Sequence, residues 1–151
     1  MRLPFRPAPL TFAALSLLAG CGQPKQTSVD HAWVRLPAVA HQPGAAYFTV
    51  HAGTSDEKLI DVSTDVAIRS EMHESMASGG MATMKPVSSV SIPARGSAKF
   101  APGGRHVMLF DINPSVKPGG AMTFTFTFAD GLRIQQTAAV VGAGDPPPKG
   151  V

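Results

Sequence analysis

The sequence contains 151 residues, a length that predicts one domain with a single packed core. Its 13 basic and 10 acidic side chains give a small net charge of +3 without a basic cluster, which argues against a nucleic-acid-binding protein. With Cys21 as its one cysteine, the chain cannot form an internal disulfide framework, a CxxC redox pair or a cysteine-ligated blue-copper centre in its folded part.

The first 21 residues have the features of an export signal. Two arginines precede an apolar run of about ten residues, too short for a membrane-spanning helix, which needs about 20. Residues 18–21, Leu-Ala-Gly-Cys, resemble the lipobox of bacterial lipoproteins, in which the cysteine is acylated. We therefore predict a signal peptide over 1–21, a lipid on Cys21 and a location on the periplasmic face of the bacterial envelope. A plain secretory signal with an incidental cysteine is the alternative.

Polar or Gly- and Pro-rich segments border the central part of the chain. Residues 22–30 lack periodicity and predict a flexible tether, and residues 142–151, which contain three consecutive prolines, predict a flexible tail. The folded domain is therefore predicted over 31–141.

Within this domain, short segments alternate apolar and polar residues with a period of two, which is typical of antiparallel β-structure. The predicted strands cover 32–36, 44–51, 59–64, 68–74, 84–87, 98–100, 106–110, 122–128 and 132–140. In strand 122–128, Met122 and three phenylalanines share one face, which predicts a core face. Asp130 and Gly131 predict a two-residue hairpin turn. About eight or nine such strands predict an all-β sandwich of two sheets with Greek-key connections.

One predicted strand carries His106 and Met108 two positions apart and therefore on the same face. Because Val107 and Leu109 are the predicted interior pair, this face is predicted to be the outer one. The same phase places His73 on the polar face of an earlier strand, where we expect it to be exposed.

A Gly-Gly loop follows that earlier strand, and it can bring Met84 back towards His73. Together with His106 and Met108, these residues supply two imidazoles and two thioethers. Soft thioethers favour Cu(I), whereas zinc sites prefer Cys, His and carboxylates. Taken singly, Met108 is more typical of a core filler and His106 of a surface histidine, so the predicted copper site depends on the combination.

The four residues are spaced as His, ten residues, Met, twenty-one residues, His, one residue, Met. This is the HX10MX21HXM pattern, and the sequence resembles the periplasmic copper chaperone family PCuAC over about 31–141. The resemblance implies a cupredoxin-like sandwich that is not an enzyme, with a Cu(I) site formed by His73, Met84, His106 and Met108. It also implies delivery of copper to the CuA centre of a respiratory oxidase, with a possible Sco-type thioredoxin-like partner. We expect the protein to be a monomer.

The tail contains neither His nor Met, so the Cu(II)-binding extension of some members is not expected here. Other His and Met residues are predicted to have no metal role: His31, His41 and His51 as surface residues, Met72 as core, and Met76 and Met81 as loop residues. Three alternative functions remain open at this stage. They are a copper-buffering or resistance protein without a dedicated acceptor, a copper oxidase or electron carrier, and a metal-free adhesion or scaffold module.

Overall fold

A computed structural model describes residues 26–150, which form ten β-strands and, within that range, no helix. The predicted signal peptide and Cys21 lie outside the described residues. The strands are β1 (Ser28–Arg35), β2 (Gly44–His51), β3 (Glu57–Ser63), β4 (Ala67–Ser78), β5 (Met81–Pro86), β6 (Val90–Ile92), β7 (Ser97–Phe100), β8 (Arg105–Ile112), β9 (Ala121–Phe128) and β10 (Arg133–Val141). From residue 26 to residue 150, the chain has no helix long and apolar enough to cross a membrane.

The strands follow one hydrogen-bonded path in the order β5-β4-β8-β2-β1-β10-β9-β3-β6, and β7 pairs with β2. β1 and β10 are parallel, and the other pairs are antiparallel. Phe48 of β2 contacts Phe126 of β9 across the interior, with ring centroids 4.7 Å apart. The two halves of the sheet therefore pack against each other around a common core. This confirms the predicted all-β sandwich, which has ten strands. The prediction missed β6, a strand of three residues.

The core is built from the apolar faces of the alternating strands. In β9, Met122 and the three phenylalanines are at most 4% exposed, as the alternation predicts. Phe48 stacks on Phe100 at a centroid distance of 4.3 Å, which joins β2 and β7 to the same core. Trp33 and Tyr47 are also buried, with centroids 4.5 Å apart, and the guanidinium of Arg35 lies over the Trp33 ring. Such a close-packed interior gives the outer faces of the strands a rigid support.

Both ends of the described domain differ from the prediction. β1 begins at Ser28, which pairs with His51 of β2, so the boundary of the predicted tether at residue 30 is wrong. After β10, the Asp145 carboxylate accepts a hydrogen bond from the Gly142 amide at 2.7 Å. The Asp145 carbonyl accepts another from the Arg35 guanidinium at 3.1 Å. The first part of the predicted tail is therefore bound to the domain.

The hairpin between β9 and β10 is longer than the predicted two-residue turn. Leu132 donates its amide to the Asp130 carboxylate at 2.9 Å and accepts a hydrogen bond from the Phe128 amide at 2.9 Å. Gly131 adopts a φ of 93°, which favours glycine. Because the Asp130 side chain bonds to the backbone two residues on, the loop extends to Leu132 before β10 begins.

The β4–β5 hairpin extends beyond the rest of the sheet. The register between β4 and β8 ends at Glu74 opposite Arg105, whereas the register between β4 and β5 continues to the tip of the hairpin. Residues 75–84 therefore form a two-stranded arm, which turns at Gly79 and Gly80 with φ of 60° and 80°. Met76 and Met81, predicted as loop residues, lie in the strands of this arm. The arm returns the chain from β4 to Met84.

Candidate metal centre

The centre of the candidate site is a pair of histidines on neighbouring strands. His73 of β4 lies directly opposite His106 of β8 in the antiparallel register, and their ring centroids are 6.1 Å apart. With metal–nitrogen bonds of about 2.0 Å, two imidazoles bound to one ion have centroids roughly 5–6 Å apart, depending on the angle at the ion. The pair therefore has a spacing at which both rings can bind the same ion.

The register also decides which face of the sheet carries this pair. Met72 and Val107, the neighbouring opposed pair, are 7% and 0% exposed and point into the core. Because side chains alternate between faces, the histidines point away from the core.

The two methionines share the outer face with the histidines. Met108 lies opposite Glu71 of β4, and Met84 of β5 lies opposite Ser75 of β4. Glu71 and Ser75 are two residues before and two residues after His73, so the two methionines lie on opposite sides of the histidine pair along the strand direction. The fold thus brings the four candidate residues to one face from three adjacent strands.

The imidazoles are more sheltered than the sequence predicts. His106 is 7% exposed and the side chain of His73 is 13% exposed, so the expectation of an exposed His73 is wrong. The reason is the position of β4 between two other strands, where His73 has His106 on one side and Pro86 on the other. Met84 remains 58% exposed, so this side of the candidate site faces solvent.

Hydrogen bonds fix one nitrogen of each imidazole and leave the other free to bind a metal. Nδ1 of His106 lies 3.0 Å from the Gly104 carbonyl, which can only accept, so Nδ1 carries the proton and Nε2 the lone pair. Nε2 of His73 lies 3.1 Å from a Glu71 carboxylate oxygen. Nδ1 of His73 is buried and has no hydrogen-bond partner among residues 26–150. A buried nitrogen without a partner is costly, and a bound metal ion would satisfy it.

Sequence reasoning missed the carboxylate beside the site. The hydrogen bond from His73 lowers the pKa of Glu71 below its usual value, with a further contribution from the charge of Arg69. On the opposite face of the same strand, Glu74 pairs with Arg105 at 3.3 Å. The alternation of the strand predicts that Glu71 shares a face with His73, but it gives no sign that the carboxylate contacts the ring.

The remaining histidines are bound elsewhere or exposed. His31 and His51 both contact the carboxylate of Asp30, at 2.6 Å and 3.1 Å. Burial raises the pKa of Asp30, but the hydrogen bonds from the two histidines outweigh it and lower the pKa overall. The side chain of His41 is 86% exposed.

Comparison with known proteins assigns the chain to a family. Residues 27–140 match the model of the family described as "Putative lipoprotein LpqE-like". The chain belongs to this LpqE-like family. It is also 30% identical over 128 residues to "Putative lipoprotein Lxx21020" of Leifsonia xyli subsp. xyli, an alignment that covers 81% of this chain and 76% of the relative.

Solved structures similar to this LpqE-like protein are PCuAC domains and DR1885. The copper-bound PCuAC domain from PmoF2 superposes with a TM-score of 0.64 at 22% identity, over 79% of this chain and 95% of that domain. Apo-DR1885 from Deinococcus radiodurans is 30% identical with a TM-score of 0.60, over 96% and 99% of the two chains. CuI-DR1885 is 29% identical with a TM-score of 0.59, over 82% and 83%. The predicted resemblance to the PCuAC family is thereby confirmed.

Proposed function

We propose that this LpqE-like protein is a copper chaperone of the bacterial envelope that carries one Cu(I) between His73, Met84, His106 and Met108. The observation that supports it most is the opposed histidine pair, in which Nδ1 of His73 is buried without a partner and thioethers flank the rings on the same face. Imidazole and thioether together form a soft donor set that favours Cu(I). A lipid on Cys21 would hold this carrier at the membrane surface on the periplasmic side.

The donor set suits a carrier that releases its ion to a partner. All four donors are neutral, so they bind Cu(I) less strongly than thiolates do. Met84 is 58% exposed, and a partner's ligand can replace it first while the sheltered histidines still hold the ion. Copper then passes through a shared intermediate by ligand exchange, without a free ion and without catalysis, and the tighter acceptor sets the direction.

The acceptor that fits this chemistry is an envelope protein with thiolate ligands. We propose the CuA centre of a respiratory oxidase as the destination, either directly or together with a Sco-type thioredoxin-like protein. Thioethers are suited to this compartment because, unlike thiols, they form no disulfides in an oxidising environment.

Copper transfer tests this proposal directly. The Cu(I)-loaded protein is mixed with one equivalent of a reduced, copper-free CuA domain, and the copper in each protein is measured after separation. An acceptor that binds Cu(I) about a hundredfold more tightly would take about 90% of the copper. A Met84→Leu donor gives the control for the exposed ligand, because the substitution removes a thioether from a surface position where it has little effect on the fold.

Retention of copper by the wild-type donor would contradict delivery. Cellular phenotypes separate delivery from buffering: deletion should lower oxidase activity at limiting copper if the protein delivers the ion. Sensitivity only at high copper would instead support a buffering or resistance protein.

A further inference from the structure

A chain of polar contacts leads from the edge of the candidate site to His73. The guanidinium carbon of Arg69 lies 3.9 Å from the centroid of the Phe110 ring, which is opposite it on β8. Nη1 of Arg69 donates a hydrogen bond to one carboxylate oxygen of Glu71. The other oxygen of Glu71 lies 3.1 Å from Nε2 of His73. The guanidinium of Arg69 is held by the Phe110 ring, and its ion pair with Glu71 in turn fixes the direction of the Glu71 carboxylate.

The carboxylate decides which nitrogen of His73 carries the proton. An ionised carboxylate can only accept, so Nε2 must donate, and the lone pair of the neutral ring is then on Nδ1. This is the nitrogen that is buried without a hydrogen-bond partner among the described residues. In His106 the backbone carbonyl of Gly104 imposes the opposite arrangement, with the lone pair on Nε2.

We propose that Glu71 is a positioning residue that holds His73 in the tautomer whose Nδ1 binds Cu(I), and that Arg69 orients Glu71 for this role. The two histidines would then bind the same ion through different nitrogens, Nδ1 of His73 and Nε2 of His106. A carboxylate behind a metal-binding imidazole fixes its orientation and raises its basicity. This inference rests on the proposed function, because it takes His73 to be a copper ligand.

The tautomer can be read in the metal-free protein by long-range ¹H–¹⁵N correlation spectra of the imidazole rings. We expect the neutral His73 ring to have its proton on Nε2 and the neutral His106 ring to have its proton on Nδ1. On addition of Cu(I), the resonances of Nδ1 of His73 and Nε2 of His106 should shift most. Binding of the ion through Nε2 of His73 would overturn the inference.

Variants of Glu71 give the second readout. Glu71→Leu removes the acceptor and should weaken Cu(I) binding about 10- to 100-fold, whereas Glu71→Gln keeps an acceptor oxygen and should restore part of the affinity. Glu74→Gln is the matched control, because Glu74 lies on the opposite face of β4 and pairs with Arg105. An unchanged Cu(I) affinity in a folded Glu71→Leu variant would overturn the role of Glu71, whatever the tautomer of its His73.

The two possible failures are distinguishable. If the wild-type protein binds no Cu(I), the proposed function fails whatever the tautomer of His73. If the wild type binds one Cu(I) but Glu71→Leu binds it equally well, only the positioning role fails. Should Glu71→Leu not fold, the ring spectra of the wild-type protein still decide which nitrogen of His73 binds the ion.

Discussion

Substitution of His106 by alanine is expected to weaken Cu(I) binding by at least about a hundredfold. Loss of a residue that only hydrogen-bonds to a metal ligand already costs about 10- to 100-fold in affinity, and loss of the ligand itself should cost at least as much. His106 would be one of two imidazole ligands, and its ring lies directly opposite His73. The measurement is a competition titration against a chromophoric Cu(I) chelator, with the protein in a reducing buffer and the stoichiometry determined in the same experiment.

The controls separate loss of a ligand from loss of structure. His106 is buried, so each variant is first checked for a native far-UV circular dichroism spectrum. Met84→Leu removes an exposed thioether and should also weaken binding, whereas Met72→Leu changes a core methionine and should not. His41→Ala removes an exposed histidine and should leave the affinity unchanged. Equal affinities of wild type and a folded His106→Ala variant would exclude this residue as a ligand.

The second large effect is expected in the core. Phe126 is fully buried and packs edge-on against Phe48, so it joins the strands on the two sides of the sandwich. Phe126→Ala should lower the free energy of unfolding by about 3–5 kcal/mol, the usual cost of deleting a buried phenyl ring. That is a large part of the total stability of a domain of this size, about 5–15 kcal/mol. Urea denaturation of the wild type and of Phe126→Ala measures the difference in the free energy of unfolding, provided that both proteins have the same m-value.

Thr123→Ala provides the control on the other face of the same strand. Thr123 is exposed, and its substitution should change the stability by no more than about 0.5 kcal/mol. If Phe126→Ala lowered the free energy of unfolding by less than about 1 kcal/mol, this result would contradict a shared core between β2 and β9. A phenyl ring buried in such a core should cost about 3–5 kcal/mol when it is deleted.

Most strands could be predicted because burial on one face leaves a period of two in the sequence. β9 is the clearest example, with Met and Phe inside and Thr outside. β6 was missed because Val90, Ser91 and Ile92 are too few to establish a period, and its pairing with β3 joins distant segments. The arm of β4 and β5 was also missed, because every residue of β5 is exposed and this strand therefore carries no core pattern.

For the candidate site, the sequence predicts which face of its strand each side chain occupies, but not which side chains of other strands lie beside it. Alternation around Val107 places His106 and Met108 on one face. That β4 and β8 are neighbours, with His73 opposite His106, depends on the topology of the whole chain. The shelter of His73 follows from its two neighbouring strands, and the hydrogen bond from Nε2 to Glu71 depends on side-chain rotamers. No local pattern encodes either.

The most direct test of the copper site is the ligand environment of the bound ion. X-ray absorption spectroscopy of the protein loaded with one equivalent of Cu(I) should show nitrogen and sulfur scatterers in equal number, with imidazole multiple scattering. Met84→Leu and Met108→Leu should each remove one sulfur scatterer. A Cu(I) environment without sulfur, or one that both methionine variants leave unchanged, would contradict a site formed by these two histidines and two methionines.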